Sequence, residues 1–463
     1  MRNVKVGLLP LYLELYDRSL PKLLPRLEPF RAKAAAALRA AGVDVAEAGV
    51  CRARPQFERA VADLEAAGAE AIVTLHLAYS PSEESAGALA ATPLPVIALN
   101  ATPSHSFDAS SRPEAILENH GIHGVQDMAN LLLRKGKRVK AASGHLEHSA
   151  VVLKAASLCR AAALATRMRR SRVGLLFRRF PGMGDFAVPF DVLRDKIGME
   201  VVACDPARHA ARIAAVTEEE ITREITENAL RFKQADGIAS EVHRHAARAN
   251  LAVRAWAEEE RLTAFSVNFL DVTRASGLLT VPFLEAGKAM ARGLGYAGEG
   301  DVLTAALVGA LCSTYGEASF GEMFCPDWKH GTVFLSHMGE MNPDLAADKP
   351  ILAEMDFAFG DCGNPLVAYA RFKPGPAMLV NLAPLAGDRF RLLVAPGEMM
   401  DVAGEDALQR SIRGWFRPRM PLEDFLTGYA EAGGTHHLAA LYGDRTEELA
   451  AFAEWMDWDF RRM

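Results

Sequence analysis

The chain has 463 residues, a formal net charge of -6 and no block of basic residues, which excludes a nucleic-acid surface as its main partner. Its composition, 50% hydrophobic and 24% charged, is that of a globular protein long enough for two or three domains. Six cysteines stand scattered at 51, 159, 204, 312, 325 and 362 with no CxxC pair, which argues against a disulfide framework or a zinc ribbon and for a reducing compartment.

In chain order, residues 4–9 read as a short buried strand closed by a proline turn. The apolar run breaks too soon for a signal peptide, and no stretch approaches a membrane span, so the reading is a cytoplasmic protein with no membrane partner. Helical spacing over 24–42 stops at Gly42. Strand 43–50, helix 55–68, strand 71–77, strand 95–100, a helix around 123–135 and strand 139–144 follow. Strands alternating with helices predict an open parallel sheet whose ligands gather at the carboxyl ends of the strands, where His76, Asn100 and His145 fall.

The period restarts after Arg167, Arg169 and Arg170, which read as a solvated helix end. Strand 171–177, helix 186–197, strand 200–204, helix 217–233, strand 237–241, helix 245–260 and strand 264–269 make a second set. Residues 282–315 read as two helices joined by a glycine-rich turn at 293–301. That turn lacks the Lys-Ser/Thr ending of a phosphate loop, and Asp301 is set to cap the next helix. Beyond 328, short strands at 333–337, 350–357, 365–372, 377–382 and 390–394 are split by Gly, Pro and Asp and read as an antiparallel sheet or small barrel, with helices near 405–414, 421–430 and 445–455. The predicted class is α/β: two Rossmann-like doubly wound α/β domains, 1–170 and 171–328, then a mostly antiparallel β domain at 329–463 with terminal helices.

The chemistry concentrates between Glu322 and Asp356. Glu322 and Glu340 stand at the edges of apolar runs, where a buried charge is costly without compensation. His337 and Asp356 lie nearby, and Gly433-Gly434-Thr435-His436-His437 presents two imidazoles downstream. Oxygen ligands with an imidazole suit a divalent metal such as Mn2+. His337, in an apolar strand, reads as a hydrogen-bonded residue behind the ligands, and Trp328, Phe320 and Phe269 as core aromatics able to stack on a sugar.

Gly298-Glu-Gly-Asp301, Ala318-Ser-Phe-Gly-Glu322, Ser336-His-Met-Gly-Glu340, Lys349-Pro-Ile-Leu352 and Gly433-Gly-Thr-His-His437, in that order, resemble the L-arabinose isomerase and L-fucose isomerase superfamily, closer to its arabinose side. Weaker echoes are His76, His123-Gly124, Gly144-His145 and Met183. The resemblance implies a metal-dependent aldose–ketose isomerase acting on a pentose or 6-deoxyhexose through an enediol. It implies Glu322 and Glu340 as catalytic carboxylates, a metal held by Glu322, Glu340, Asp356 and His437, and substrate contacts from His436, His76, His123, Met183 and Phe269. It further implies Mn2+, or Mg2+ or Co2+, and a homotrimer or homohexamer with active sites at subunit interfaces. One departure stands out: where the family carries a histidine ligand, this chain has Asp356, or Glu354 if the register slips by two. That keeps open an epimerase on the same scaffold. A non-catalytic sugar-binding or sensor protein is the other alternative.

Overall fold

Val4–Leu11 (β1), apolar and buried along nearly its whole length, is a middle strand of the first sheet. In the computed structural model, which describes residues 3–401 and 404–463, it belongs to a compact unit spanning 3–167; a second unit spans 168–463. Val43–Glu47 (β2), Ala71–His76 (β3), Val96–Asn100 (β4) and Val139–Ser143 (β5) complete an all-parallel sheet in the order β2-β1-β3-β4-β5. The strand order reverses direction between β1 and β3, and His76 closes β3 at that crevice. The helix Gly121–Arg134 packs hard against it: a Cβ on Gly124 would stand 2.3 Å from His76 Cδ2.

In the second unit, Arg172–Leu176 (β6), Glu200–Ala203 (β7), Lys233–Gln234 (β8), Ala264–Val267 (β9) and Gly295–Gly298 (β10) come next. Four of them make a parallel sheet, β10-β9-β6-β7. Two sequence expectations fail here. The strand expected at 237–241 is absent: Gly237 takes a positive φ of 81°, and Ser240–Glu259 is already helix. Its buried Ala246, Ala249, Val253 and Trp256 recur at three- and four-residue spacing, a stronger pattern than the short Gly-Ile-Ala run before it. The expected interhelical turn at 293–301 contains β10, a strand hidden by its glycines. A Cβ on Gly295 would lie 2.1 Å from Ala305 O, so only glycine lets the strand touch the helix Val302–Tyr315. Asp301 does cap that helix, accepting from the Thr304 amide at 2.9 Å.

Ala318–Asp327 (β11), Thr332–Ser336 (β12), Ile351–Glu354 (β13), Leu366–Tyr369 (β14), Gly375–Leu385 (β15), Arg389–Met399 (β16), Gly414–Pro418 (β17), His437–Tyr442 (β18) and Asp459–Arg462 (β19) follow. The order β15-β18-β11-β12-β17-β16 is antiparallel and closes through a β15–β16 pairing, a six-stranded barrel to which β19 adds in parallel. Closure removes free edges. β8, β13 and β14 form a separate small sheet. No helix forms at 404–413. That segment turns into β17, where Gly414 lets the strand pass Met399 and Phe372 closely. Helices Leu422–Glu431 and Thr446–Met456 stand where the sequence put them. Val302–Tyr315, buried on every side except at Ser313, contacts both the parallel sheet and the barrel. Among the described residues no helix is long and apolar enough to cross a membrane.

Candidate active site

Three neighbouring barrel strands deliver the site. Glu322 on β11 pairs directly with His437 on β18 and with Ser336 on β12, so His337 emerges one residue past the pairing. Strand residues two apart share a face, which puts Phe320 beneath Glu322. The Phe320 ring meets His337 at 4.7 Å and His437 at 5.0 Å edge-on, and walls the group from the core. One ligand atom each from Glu322, His337 and His437 lie within 4.8 Å of one another. Glu299, His436 and His437 meet the same limit.

Each imidazole is held by a carboxylate on its Nδ1. Asp301 Oδ2 stands 3.0 Å from His437 Nδ1, while Asp301 Oδ1 caps the helix behind. Asp185 Oδ2 stands 2.6 Å from His436 Nδ1 and also accepts from its amide at 3.0 Å. Glu340 Oε2 stands 2.8 Å from His337 Nδ1 and accepts from the Gly339 amide, and its Oε1 accepts from the Tyr296 hydroxyl at 2.8 Å. The Nε2 atoms of His436 and His437 are buried without a hydrogen bond, and Glu299 Oε2 approaches them only to 3.7 and 3.5 Å. Glu299 gets there through a left-handed backbone, φ 67°, unusual for a residue with a side chain. Phe186 stacks on His437 with centroids 5.4 Å apart.

The electrostatics follow from the five carboxylates that face three imidazoles. Burial opposes charge on both paired histidines. It is outweighed by Asp185 and Glu299 at His436, raised to about 10, and by Asp301 and Glu299 at His437, raised to about 9. Glu299 is driven down to about 2: burial resists this, and the two imidazoles overcome it. Burial also works against Glu340, but His337, the Gly339 amide and Tyr296 hold it below the usual range. Glu322 is the exception. Its carboxylate accepts no hydrogen bond from the described residues, and burial pushes its pKa up. Excess acid with the buried Nε2 atoms of His436 and His437 left unpaired is a donor set that a divalent cation fits.

The C-terminal domain profile of L-arabinose isomerase matches residues 317–459, and the central domain profile matches residues 193–315. The chain belongs to the L-arabinose isomerase family. It is 28% identical over 351 residues to an L-arabinose isomerase of Herpetosiphon aurantiacus, covering 73% of this chain and 68% of that protein. It is 27% identical over 403 residues to one of Geobacillus thermodenitrificans, covering 83% and 78%. With L-arabinose isomerase 1 of Bacillus licheniformis it shares 30% identity over 247 residues, covering 52% and 49%. This is a family of enzymes, intramolecular oxidoreductases that isomerise sugars.

Within this family member the expected site residues divide into four groups. Glu322, Glu340, His436 and His437 converge, with His337 between the two glutamates. Asp356 does not join them. It is exposed past the end of β13, because Phe357 takes the buried position and packs on Phe269 and Phe283. Glu354 is bound to the Asn364 side-chain amide at 2.8 Å instead. Phe269 is buried among Phe180, Phe357 and Phe359, and Met183 is half-buried two residues before Asp185. His76 and His123 belong to the 3–167 unit. There His76 is buried with neither ring nitrogen hydrogen-bonded, and burial lowers its pKa to about 3. His123 is exposed beside Tyr79. Sequence reasoning missed Asp185, Glu299 and Tyr296 and took Asp301 only as a cap. The available signal was a charged residue beside glycine, between two at Gly298-Glu299-Gly300 and after one at Gly184-Asp185.

Proposed function

We propose that this chain is an aldose–ketose isomerase that moves a proton between C1 and C2 of an open-chain pentose or 6-deoxyhexose through an enediol. The observation that carries the reading is the direct cross-strand pairing of Glu322 with His437, with His337 completing a cluster whose ligand atoms lie within 4.8 Å. Glu322, His337 and His437 are the residues to hold a divalent ion, with Mn2+, Co2+ or Mg2+ suited to mixed carboxylate and imidazole donors. Bound there, such an ion would supply a Lewis acid for the sugar's carbonyl.

The chain's own residues supply the rest. Glu322 and Glu340 are the two working carboxylates, in unequal roles. Glu322, whose carboxylate accepts no hydrogen bond from the described residues, takes the carbon-bound proton and returns it to the neighbouring carbon. Glu340 acts through His337: its carboxylate fixes the Nδ1 proton and so aims Nε2, with Tyr296 steadying the carboxylate from behind. His436, kept protonated by Asp185, donates to a sugar oxygen as negative charge grows there. This reading leaves the exposed Asp356 out of the ligand set. His76, His123, Met183 and Phe269 are assigned to sugar contacts, and the segments 171–328 and 329–463 to the central and C-terminal domains. Six free cysteines support a cytoplasmic location. A homotrimer or homohexamer is part of the same reading, with exposed Phe324 and Trp328 at the β11–β12 hairpin as apolar surface for association.

The test is ketose formation from a panel of aldopentoses and 6-deoxyhexoses with added Mn2+. Glu322→Gln is expected to lower kcat by several orders of magnitude with the circular dichroism spectrum unchanged. Glu340→Gln is expected to weaken Mn2+ binding roughly 10- to 100-fold as well as slow turnover. Full activity in Glu322→Gln rejects the proton-transfer assignment, and loss of turnover in Glu340→Gln at unchanged Mn2+ affinity makes Glu340 a direct proton carrier.

A further inference from the structure

We propose that the 3–167 unit carries a second metal site, independent of the isomerase reading: a borderline divalent cation such as Zn2+ held by His105, His145 and His148, with Glu147 at its rim. Strands β4 and β5 end side by side, with Asn100 opposite Ser143 and their side chains hydrogen-bonded at 3.0 Å. The loops leaving these two ends therefore start from neighbouring points, and both carry histidine. The β5 loop is a tight turn. Gly144 sits at φ 155°, where a Cβ would fall 2.3 Å from Ser149 Oγ, and that hydroxyl donates to His145 O at 2.8 Å. The turn brings His145 and His148 into a stack with centroids 4.8 Å apart and 23° between planes. His105 closes the group from the β4 loop, 4.1 Å from His148 and 5.1 Å from His145.

A bland explanation accounts poorly for this gathering. His148, Glu147 and His105 are exposed and His145 is half-buried, so the stack hides little apolar surface. Among the described residues no hydrogen bond joins the rings. Charging them together would set like charges side by side. A cation reverses that balance by binding neutral imidazoles. One ligand atom each from His145, Glu147 and His148 already lie within 4.8 Å, and His105, whose ring touches both imidazoles, joins them on turning a nitrogen inward. His145 Nδ1 accepts from the Glu147 amide at 3.3 Å, which leaves its Nε2 for the ion. One Glu147 oxygen is paired with Lys33 at 2.6 Å, and the other is the fourth donor. Three imidazoles and a carboxylate select Zn2+, Ni2+, Co2+ or Cu2+ over the oxygen-seeking Mg2+ and Mn2+. The ion would clip the irregular segment 101–114, which Asn119 already holds at Ser104, to the β5 turn as well.

The experiment uses full-length protein stripped with chelator and titrated with Zn2+, with Co2+ visible absorption as the spectroscopic probe. The triple variant His105→Ala/His145→Ala/His148→Ala is expected to lose a full equivalent of bound Zn2+ per chain and the corresponding Co2+ bands, while binding at the barrel cluster persists. His148→Ala alone, at an exposed position that leaves folding intact, is expected to weaken the Zn2+ affinity of that equivalent roughly 10-fold or more. Cleavage by trypsin at Arg112 is expected to slow when Zn2+ is added to the wild type and not to the triple variant. Equal Zn2+ stoichiometry in wild type and triple variant, or an affinity that His148→Ala leaves unmoved, overturns the proposal.

Discussion

At the scale of single residues, the barrel cluster is governed by which nitrogen each histidine has left. Asp301 and Glu340 take Nδ1 of His437 and His337, so both rings offer Nε2 to the same space. Asp301→Asn keeps a cap acceptor but removes the charge beside His437. The His437 pKa, now about 9 against burial, is expected to fall, and imidazole NMR shifts over a pH series would measure it. An unmoved value would mean that Glu299 alone sustains the charge. Asp356→Ala is expected to leave both Mn2+ affinity and kcat within about twofold of wild type, because the side chain is exposed and outside the cluster. A large drop in Mn2+ affinity would return Asp356 to the ligand set. Glu322, Glu340, His436 and His437 were readable from short motifs because each sits in an unusual local context of glycine and apolar neighbours. The partners of Asp185 and Glu299 were not: nothing in a stretch of sequence states that residue 185 will meet residue 436.

At the scale of elements, periodicity located most strands and helices to within a few residues, and it failed where glycine replaced the pattern. β10 contains two glycines in four positions and reads as a turn, yet its close approach to the helix Val302–Tyr315 positions Glu299 and Asp301. Gly295→Ala is expected to destabilise the chain by roughly 1–3 kcal/mol. The new methyl would press on Ala305 O and the backbone of Gly309, neither of which can rotate away. Denaturant titration reads this, and an unchanged midpoint would show that strand and helix can separate freely. β11 shows the opposite case. Its Phe320 and Glu322 are legible in the motif, but the pairing that sets Glu322 between His437 and Ser336 spans more than a hundred residues of chain.

At the scale of the whole molecule, one buried charge network in the second unit ties stability to pH. Glu224 and Glu285, both almost fully buried, are paired with Arg254, and Lys288 adds a 2.6 Å contact to Glu224. Burial pushes the Glu224 pKa up, and Arg254 and Lys288 more than reverse it, so its folded value is depressed. The stabilisation from this group is therefore complete above its unfolded value of about 4.3 and is lost as pH falls through the lower folded value. Wild-type unfolding free energy is expected to drop more steeply below about pH 4.3 than that of Glu224→Gln; parallel acid slopes would show that the network binds no fewer protons folded than unfolded. By itself the sequence determined the α/β class, the run of parallel strands followed by an antiparallel part, the family and the short motifs of the site, because periodicity and local chemistry are properties of neighbouring residues. Only the tertiary structure decided that the last strands close into a barrel, that Asp356 stands outside the cluster, and that Asp185, Glu299 and Asp301 hold the histidines. Those outcomes depend on strand pairing and burial between distant segments, which no local pattern encodes.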